Sequence, residues 1–190
     1  LGPLAGHLGG SEYRKRCHGR VEGPLPDVPW DLQRRLQQLL QEAVARGWAV
    51  AARPVGRGGL LVALAKMAFP GGPIPPAADG GALTLGVDVT LPDRGGEAPA
   101  DRWDAVFFGE GPARALAAVV PAAREALVRR AAELGVPCRL LGEVTEPGGR
   151  LTVRAGGRTW LDEPVAALWT AWEGALPWLL DEPARQPAAV

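Results

Sequence analysis

The chain has 190 residues, enough for one domain with a real hydrophobic core. At this size folding removes about 70% of the unfolded surface, so neither disulfides nor a structural metal are required. Lys plus Arg and Asp plus Glu each total 21, giving zero net charge, which excludes duplex nucleic acid or an anionic membrane as a partner held by bulk charge.

Residues 1–25 read as an N-terminal lead carrying the loop Leu8-Gly9-Gly10-Ser11-Glu12-Tyr13, and residues 26–181 as the folded domain. From Asp27 to Arg46, apolar residues recur at helical spacing (Val28, Leu32, Leu36, Leu39, Leu40, Ala43), with Pro29 in the first turn and Gly47 as the stop. Trp48–Ala52 reads as a short buried strand. A glycine cluster follows at Gly56, Gly58 and Gly59, and Leu60–Phe69 as an apolar helix closed by Pro70-Gly71-Gly72-Pro73. Thr84–Leu91 alternates as a strand, with Leu85, Val87, Val89 and Leu91 on one face. Residues 92–102 form a polar loop. Ala105–Phe108 and Ala115–Val120 then read as strands on either side of Gly109-Glu110-Gly111-Pro112.

Pro121 begins a helix that Gly135 ends, with Leu127, Ala131 and Leu134 on one stripe. Cys138–Val144 and Leu151–Arg154 are further strands. Ala155-Gly156-Gly157-Arg158 is a hairpin turn into Thr159–Leu161. A last helix runs from Pro164 to Leu180 with Leu168, Trp172, Ala175 and Leu179 inward, and residues 182–190 are a fraying tail. Helices and strands interleave without a strict βαβ rhythm. The expected fold is therefore α+β, in α/β/α layers: a mixed β-sheet flanked by helices.

Cys17 and Cys138 lie far apart, with no CxxC and no Cys/His cluster, which argues against a zinc ribbon or a disulfide scaffold and suits a reducing, cytoplasmic setting. No apolar run reaches the roughly 18 residues of a membrane span. The first residues, LGPLAGHLGG, lack the regions of a signal peptide and begin without Met, so the chain is expected to be a fragment or a processed product.

Three segments are candidates for ligand chemistry. In Gly9-Gly10-Ser11, two glycines let backbone amides approach an anion and Ser11 adds a hydroxyl, with Arg14, Lys15, Arg16, His18 and Arg20 behind it. The plainer reading is a flexible lead with a solvated basic run. Gly56-Arg57-Gly58-Gly59 enters a helix and can present amides to a phosphate, but it is neither a GxxxxGK[ST] nor a GxGxxG loop. By spacing alone it reads first as a tight strand-to-helix turn. Glu110, between Gly109 and Gly111, suits a metal or a ribose hydroxyl, or equally the capping of turn amides. His7 and His18 have no paired carboxylate other than Glu12 nearby, and Ser11 lacks a nucleophile-elbow context. No residue is therefore assigned as catalytic and none as a metal ligand. The seven Trp residues read as core anchors, since no basic stripe accompanies them.

The ordered set LGGSEY, a helix of some 20 residues, GGLLVALAKMAF, FFGEGPARALAAVV, a helix, LLGEVT and DEPVAALWTAWEGALPWLL resembles the phosphoribosylformylglycinamidine synthases. The matching region is the C-terminal domain of their synthetase subunit, in the aminoimidazole ribonucleotide synthetase-like superfamily. The resemblance spans residues 8–180. It implies a domain of the ATP-dependent ligase of purine biosynthesis that converts formylglycinamide ribonucleotide and glutamine-derived ammonia to the amidine. In the full enzyme ATP and Mg²⁺ serve the phosphoryl-transfer step, and the partners are the remaining synthetase domains and a glutaminase subunit.

The isolated chain is then expected to be inactive and to self-associate through apolar surface. Gly9, Gly10 and Ser11 match the family's loop and are candidates for phosphate contact, together with Arg57, Gly58, Gly59 and Glu110. Where the family usually reads HDxSDGGL, this chain has Arg53-Pro54-Val55-Gly56-Arg57-Gly58-Gly59-Leu60, so both aspartates are lost, to Pro54 and Arg57. That departure leaves a second reading: a stand-alone degenerate domain with a structural, partner-binding or nucleotide-binding role.

Overall fold

A computed structural model describes residues 1–69, 84–92, 102–147 and 149–181, the last five of these and Pro147 through their backbone alone. The closing turn expected at Pro70–Pro73, most of the polar loop at 92–102 and the tail at 182–190 lie outside those residues.

Helix α1 (Glu12–His18) starts because the Ser11 hydroxyl accepts the Arg14 amide at 3.4 Å, and it ends at Gly19, whose φ of 65° closes the last turn. Helix α2 (Trp30–Ala45) turns Leu36, Leu39 and Ala43 inward and stops before Gly47. Strand β1 (Ala49–Pro54) pairs antiparallel with β3 (Ala115–Val119), forming a two-stranded ribbon. Helix α3 (Gly59–Ala68) separates β1 from β2 (Leu85–Leu91). Helix α4 (Trp103–Phe108) precedes β3, and a short 3₁₀ turn at Pro121–Ala123 leads into α5 (Arg124–Glu133). Strands β4 (Gly142–Pro147), β5 (Arg150–Ala155) and β6 (Arg158–Pro164) and helix α6 (Val165–Asp181) complete the chain.

The larger sheet has the order β4-β2-β5-β6 and is mixed: β2 runs parallel to β5, and the other pairs are antiparallel. In β2 and β5 the pleat turns Val89, Leu91, Leu151, Val153 and Ala155 into one core with Leu60, Leu64, Val106, Phe107 and Val165 from the covering helices. A second core sits between α2, α5 and the ribbon, built on Leu36, Leu39, Ala43, Ala115, Leu127, Ala131 and Val136. At its rim Arg130 grips Glu42 with two bonds of 2.7 and 2.8 Å, tying α5 to α2. The expected α+β class, with a mixed sheet flanked by helices, holds.

Four local expectations fail. Ala105–Phe108 is helix, not strand: the apolar run is too short to reveal a period, and Trp103 and Phe107, one turn apart, stack at 5.7 Å. The residues 138–141 are irregular and the strand begins only at Gly142. Strand β1 is largely exposed, with Val50 pointing to solvent, because the ribbon is covered on one face only. In α6, Leu168 packs on the core, whereas Trp172 lies half exposed under the Lys66 ammonium, 3.9 Å from the ring centre.

Candidate functional site

The first eight residues are built into the fold. Leu4 is buried, and the Arg114 guanidinium, itself only 5% exposed, donates to the carbonyls of Pro3 (3.0 Å), Leu4 (2.6 Å) and Gly109 (2.7 Å). His7 and Glu110 then form an antiparallel bridge, with N–H···O distances of 2.7 and 2.8 Å. This bridge brings Gly9–Ser11 beside the turn at Gly56–Gly59, some fifty residues away in sequence.

Glu110 is the centre of the arrangement. Its Oε1 accepts the amide of Glu12, in the first turn of α1, and the amide of Gly58, at the N-cap of α3, both at 2.9 Å. One carboxylate oxygen thus satisfies an orphan donor at each of two helix starts, where negative charge is favoured. Gly59 must be glycine here: its φ is +72°, and a Cβ would stand 2.5 Å from the Phe108 carbonyl carbon. That close approach of α3 to α4 is what carries the Gly58 amide to Glu110.

Around this centre the side chains pair internally. Arg57 forms an ion pair with Glu12, and that bond holds the Glu12 carboxyl below its ordinary range while raising the guanidinium. Tyr13 stacks on Phe108 at 4.9 Å with the rings nearly parallel. Ser11 is almost fully buried, and its hydroxyl donates to the Leu8 carbonyl at 2.7 Å while accepting from Arg14. The Gly9 amide donates to His7 Nδ1 at 2.9 Å, the Gly10 amide to the Glu22 carbonyl at 3.0 Å, and the Gly59 amide to the Gly56 carbonyl at 2.9 Å.

All seven sequence candidates therefore meet in one place. Of the alternatives for Glu110, the capping of turn amides is the one formed. The donors expected for a phosphate are engaged within the chain. Glu12, His7 and Arg114 were not among the candidates. Glu12 sits in the first turn after a serine cap, and Arg114 is a lone cation at the head of an apolar strand; both were signals in the sequence.

Among the described residues no three His, Cys, Asp or Glu side chains gather as a metal site, and here the Glu12 carboxylate is held by Arg57 while Glu110 Oε1 is held by two backbone amides. At this turn Arg57 presents a guanidinium, which cannot ligate a cation. No metal-assisted step is assigned to these residues. The Gly58 amide is taken by the Glu110 carboxylate, so an entering anion would first have to displace it.

The family model described as AIR synthase related protein, C-terminal domain, matches residues 1–154. This chain belongs to that family. Among curated members, the chain is 35% identical over 170 residues to the phosphoribosylformylglycinamidine synthase subunit PurL of Synechocystis sp., covering 89% of this chain and 20% of that protein. It is 33% identical over 180 residues to PurL of Moorella thermoacetica, covering 95% of the chain and 22% of the relative. The chain thus spans about a fifth of the length of these PurL proteins.

Among solved structures, phosphoribosylformylglycinamidine synthase II of Thermotoga maritima superposes with a TM-score of 0.61 at 19% identity, over 98% of this chain and 27% of that one. PurL of T. maritima complexed with ATP gives a TM-score of 0.56 at 19% identity, over 87% and 24% of the two chains. At such identities the likeness establishes the AIR synthase C-terminal fold alone. No helix among the described residues is long and apolar enough to cross a membrane.

Proposed function

We propose that this chain is the C-terminal AIR synthase-type module of a phosphoribosylformylglycinamidine synthase, the ATP-dependent ligase that forms the amidine of formylglycinamide ribonucleotide with glutamine-derived ammonia. The observation that carries this reading is the match to PurL proteins along 89–95% of the chain, together with the family match from residue 1. In this reading ATP and Mg²⁺ are held by the remaining synthetase domains, a glutaminase subunit supplies ammonia, and the reaction takes place in the cytoplasm. The module has no catalytic residue of its own.

Its lead (residues 1–25) and body (26–181) act as one wall of the ligand cleft. The Gly9–Ser11 loop, the Arg57–Gly59 turn and Glu110 form the part of that wall nearest a phosphate. Contact with a phosphate there requires Glu110 to release the Gly58 amide. Pro54 and Arg57, where the resembling family usually has aspartates, favour a second reading, a stand-alone degenerate domain of the same fold with a structural, partner-binding or nucleotide-binding role and no part in the ligase.

Deleting the gene that encodes this segment distinguishes the two. The ligase reading expects purine auxotrophy relieved by hypoxanthine, with formylglycinamide ribonucleotide accumulating. Growth without purines and no accumulation would refute it.

A further inference from the structure

The edges of the two sheets are guarded unequally. The larger sheet ends at β4 and β6, and both strands carry exposed charges: Glu143 and Glu146 on β4, Arg158, Asp162 and Glu163 on β6. Such side chains discourage pairing with another chain. Strand β1 lacks them. Among the described residues it has a strand neighbour on one side only, β3, and its first four residues, Ala49-Val50-Ala51-Ala52, hold no charge and no proline. Val50 is 72% exposed, and Ala51 and Ala52 beside it are exposed as well.

The register shows which backbone groups face that edge. In an antiparallel pair, residues that exchange hydrogen bonds alternate with residues that turn away. The Val55 amide donates to the Arg114 carbonyl at 3.0 Å, while the Ala115 amide turns from β1 and donates to the Leu1 carbonyl, also at 3.0 Å. Pro54 lies opposite Ala115 and Ala52 opposite Ala117, so Ala52 directs its amide and carbonyl away from β3, toward the outer edge. Val50 has no opposite number on β3, because the register passes from Ala49–Val119 to Ala51–Ala118. Its side chain is therefore free to meet a strand from outside.

We propose that β1 pairs antiparallel with β1 of a second copy of this chain, joining two ribbons into a four-stranded sheet of order β3-β1-β1-β3 about a two-fold axis. With Ala51 on the axis, Val50 meets the partner's Ala52, and Arg53 meets the partner's Ala49. The charge pattern favours this pairing. Arg53 is the single charged residue of the strand, and antiparallel pairing places the two copies of it four residues apart, about 13 Å along the seam, beyond the roughly 8 Å over which exposed charges act at physiological salt. Parallel pairing would set them side by side. A seam of six residues covers less than the roughly 1,200 Å² at which stable interfaces begin, so the dimer is weak, with a dissociation constant on the order of 0.1 mM. The proposal does not depend on the ligase reading.

The test is sedimentation equilibrium of the native polypeptide that carries this segment, from about 10 μM to about 1 mM, a range that brackets the expected constant. The mean mass is expected to climb toward twice that of one chain. V50K, which sets a charge near the axis in both copies, is expected to weaken the dimer by about tenfold or more. A52P removes the outward amide at a place where an edge strand tolerates proline, and is expected to do the same. Thermal melts of both variants establish that the fold persists. In a C17S background, A51C is expected to form a disulfide between copies under mild oxidation, because residues facing each other on the axis lie within disulfide reach. T159C, on the guarded edge of β6, is expected to form none. A single-chain mass across the whole range, or a dimer whose affinity is unchanged in folded V50K, would overturn the proposal.

Discussion

Replacing Glu110 by Ala removes the oxygen that accepts from both the Glu12 and the Gly58 amides. A hydrogen bond to a charged group contributes about 1.5–3 kcal/mol net, and a donor left without a partner costs about 1–3 kcal/mol when buried. The residue is half-buried, and water can reach part of the gap, so the lower ends apply and the expected loss is about 2–4 kcal/mol for the pair. For a domain of this length about 1 kcal/mol moves the midpoint by about 2–4 °C, which places the E110A melt about 4–16 °C below the parent. E110Q keeps a neutral acceptor and should fall between the two. Urea unfolding measures the energies, and amide hydrogen exchange reads the cause, because the Glu12 and Gly58 amides should lose protection in E110A ahead of the rest of α3. A loss under about 0.5 kcal/mol with both amides still protected would show that Glu110 does not join these helix starts.

Gly59→Ala should be more damaging than a typical helix substitution, since its Cβ meets Phe108 backbone at 2.5 Å in a positive-φ conformation. A loss of about 3 kcal/mol or more by urea titration is expected. Arg114→Ala strips donors from three backbone carbonyls and should release the first residues. The readout is faster proteolysis at residues 1–8 than in the parent, whereas equal rates would mean that the lead is held by other contacts.

The clasp between α2 and α5 sets an acid response. Arg130 pulls the Glu42 carboxyl from its ordinary 4.5 to about 2. The folded value lies below the unfolded one, so this stabilisation is complete above pH 4.5 and disappears as pH falls toward 2. E42Q should flatten that part of the stability curve, and identical acid profiles for the two proteins would contradict it.

Much of the architecture was legible because long elements carry their period openly. The spacing of Leu36, Leu39 and Ala43 gives α2, and the alternation through Val87, Val89 and Leu91 gives β2. Helix α4 was not legible: six residues span less than two turns, and an apolar run of that length suits strand or helix equally until Trp103 finds Phe107 and Trp160. The start of β4 was blurred because Cys138, Leu140 and Leu141 read as apolar strand residues, whereas regular pairing begins only at Gly142, Leu141 giving just its carbonyl to the Thr90 amide.

At the candidate site the residue types were visible, including Glu110 as a cap, but their meeting was not. It depends on the His7–Glu110 bridge, a contact over a hundred residues apart in sequence with no local signature. The engagement of the Gly9–Ser11 donors follows from the same packing, since only the folded chain brings the Glu22 carbonyl to the Gly10 amide.

The most direct measurement is the activity of the native polypeptide that carries this segment, purified from its source through an affinity tag and supplied with formylglycinamide ribonucleotide, Mg·ATP and ammonia. Formation of the amidine with equimolar ADP is expected. Purified, folded protein that hydrolyses no ATP in the presence of the ribonucleotide and ammonia would contradict the assignment of this domain to the ligase.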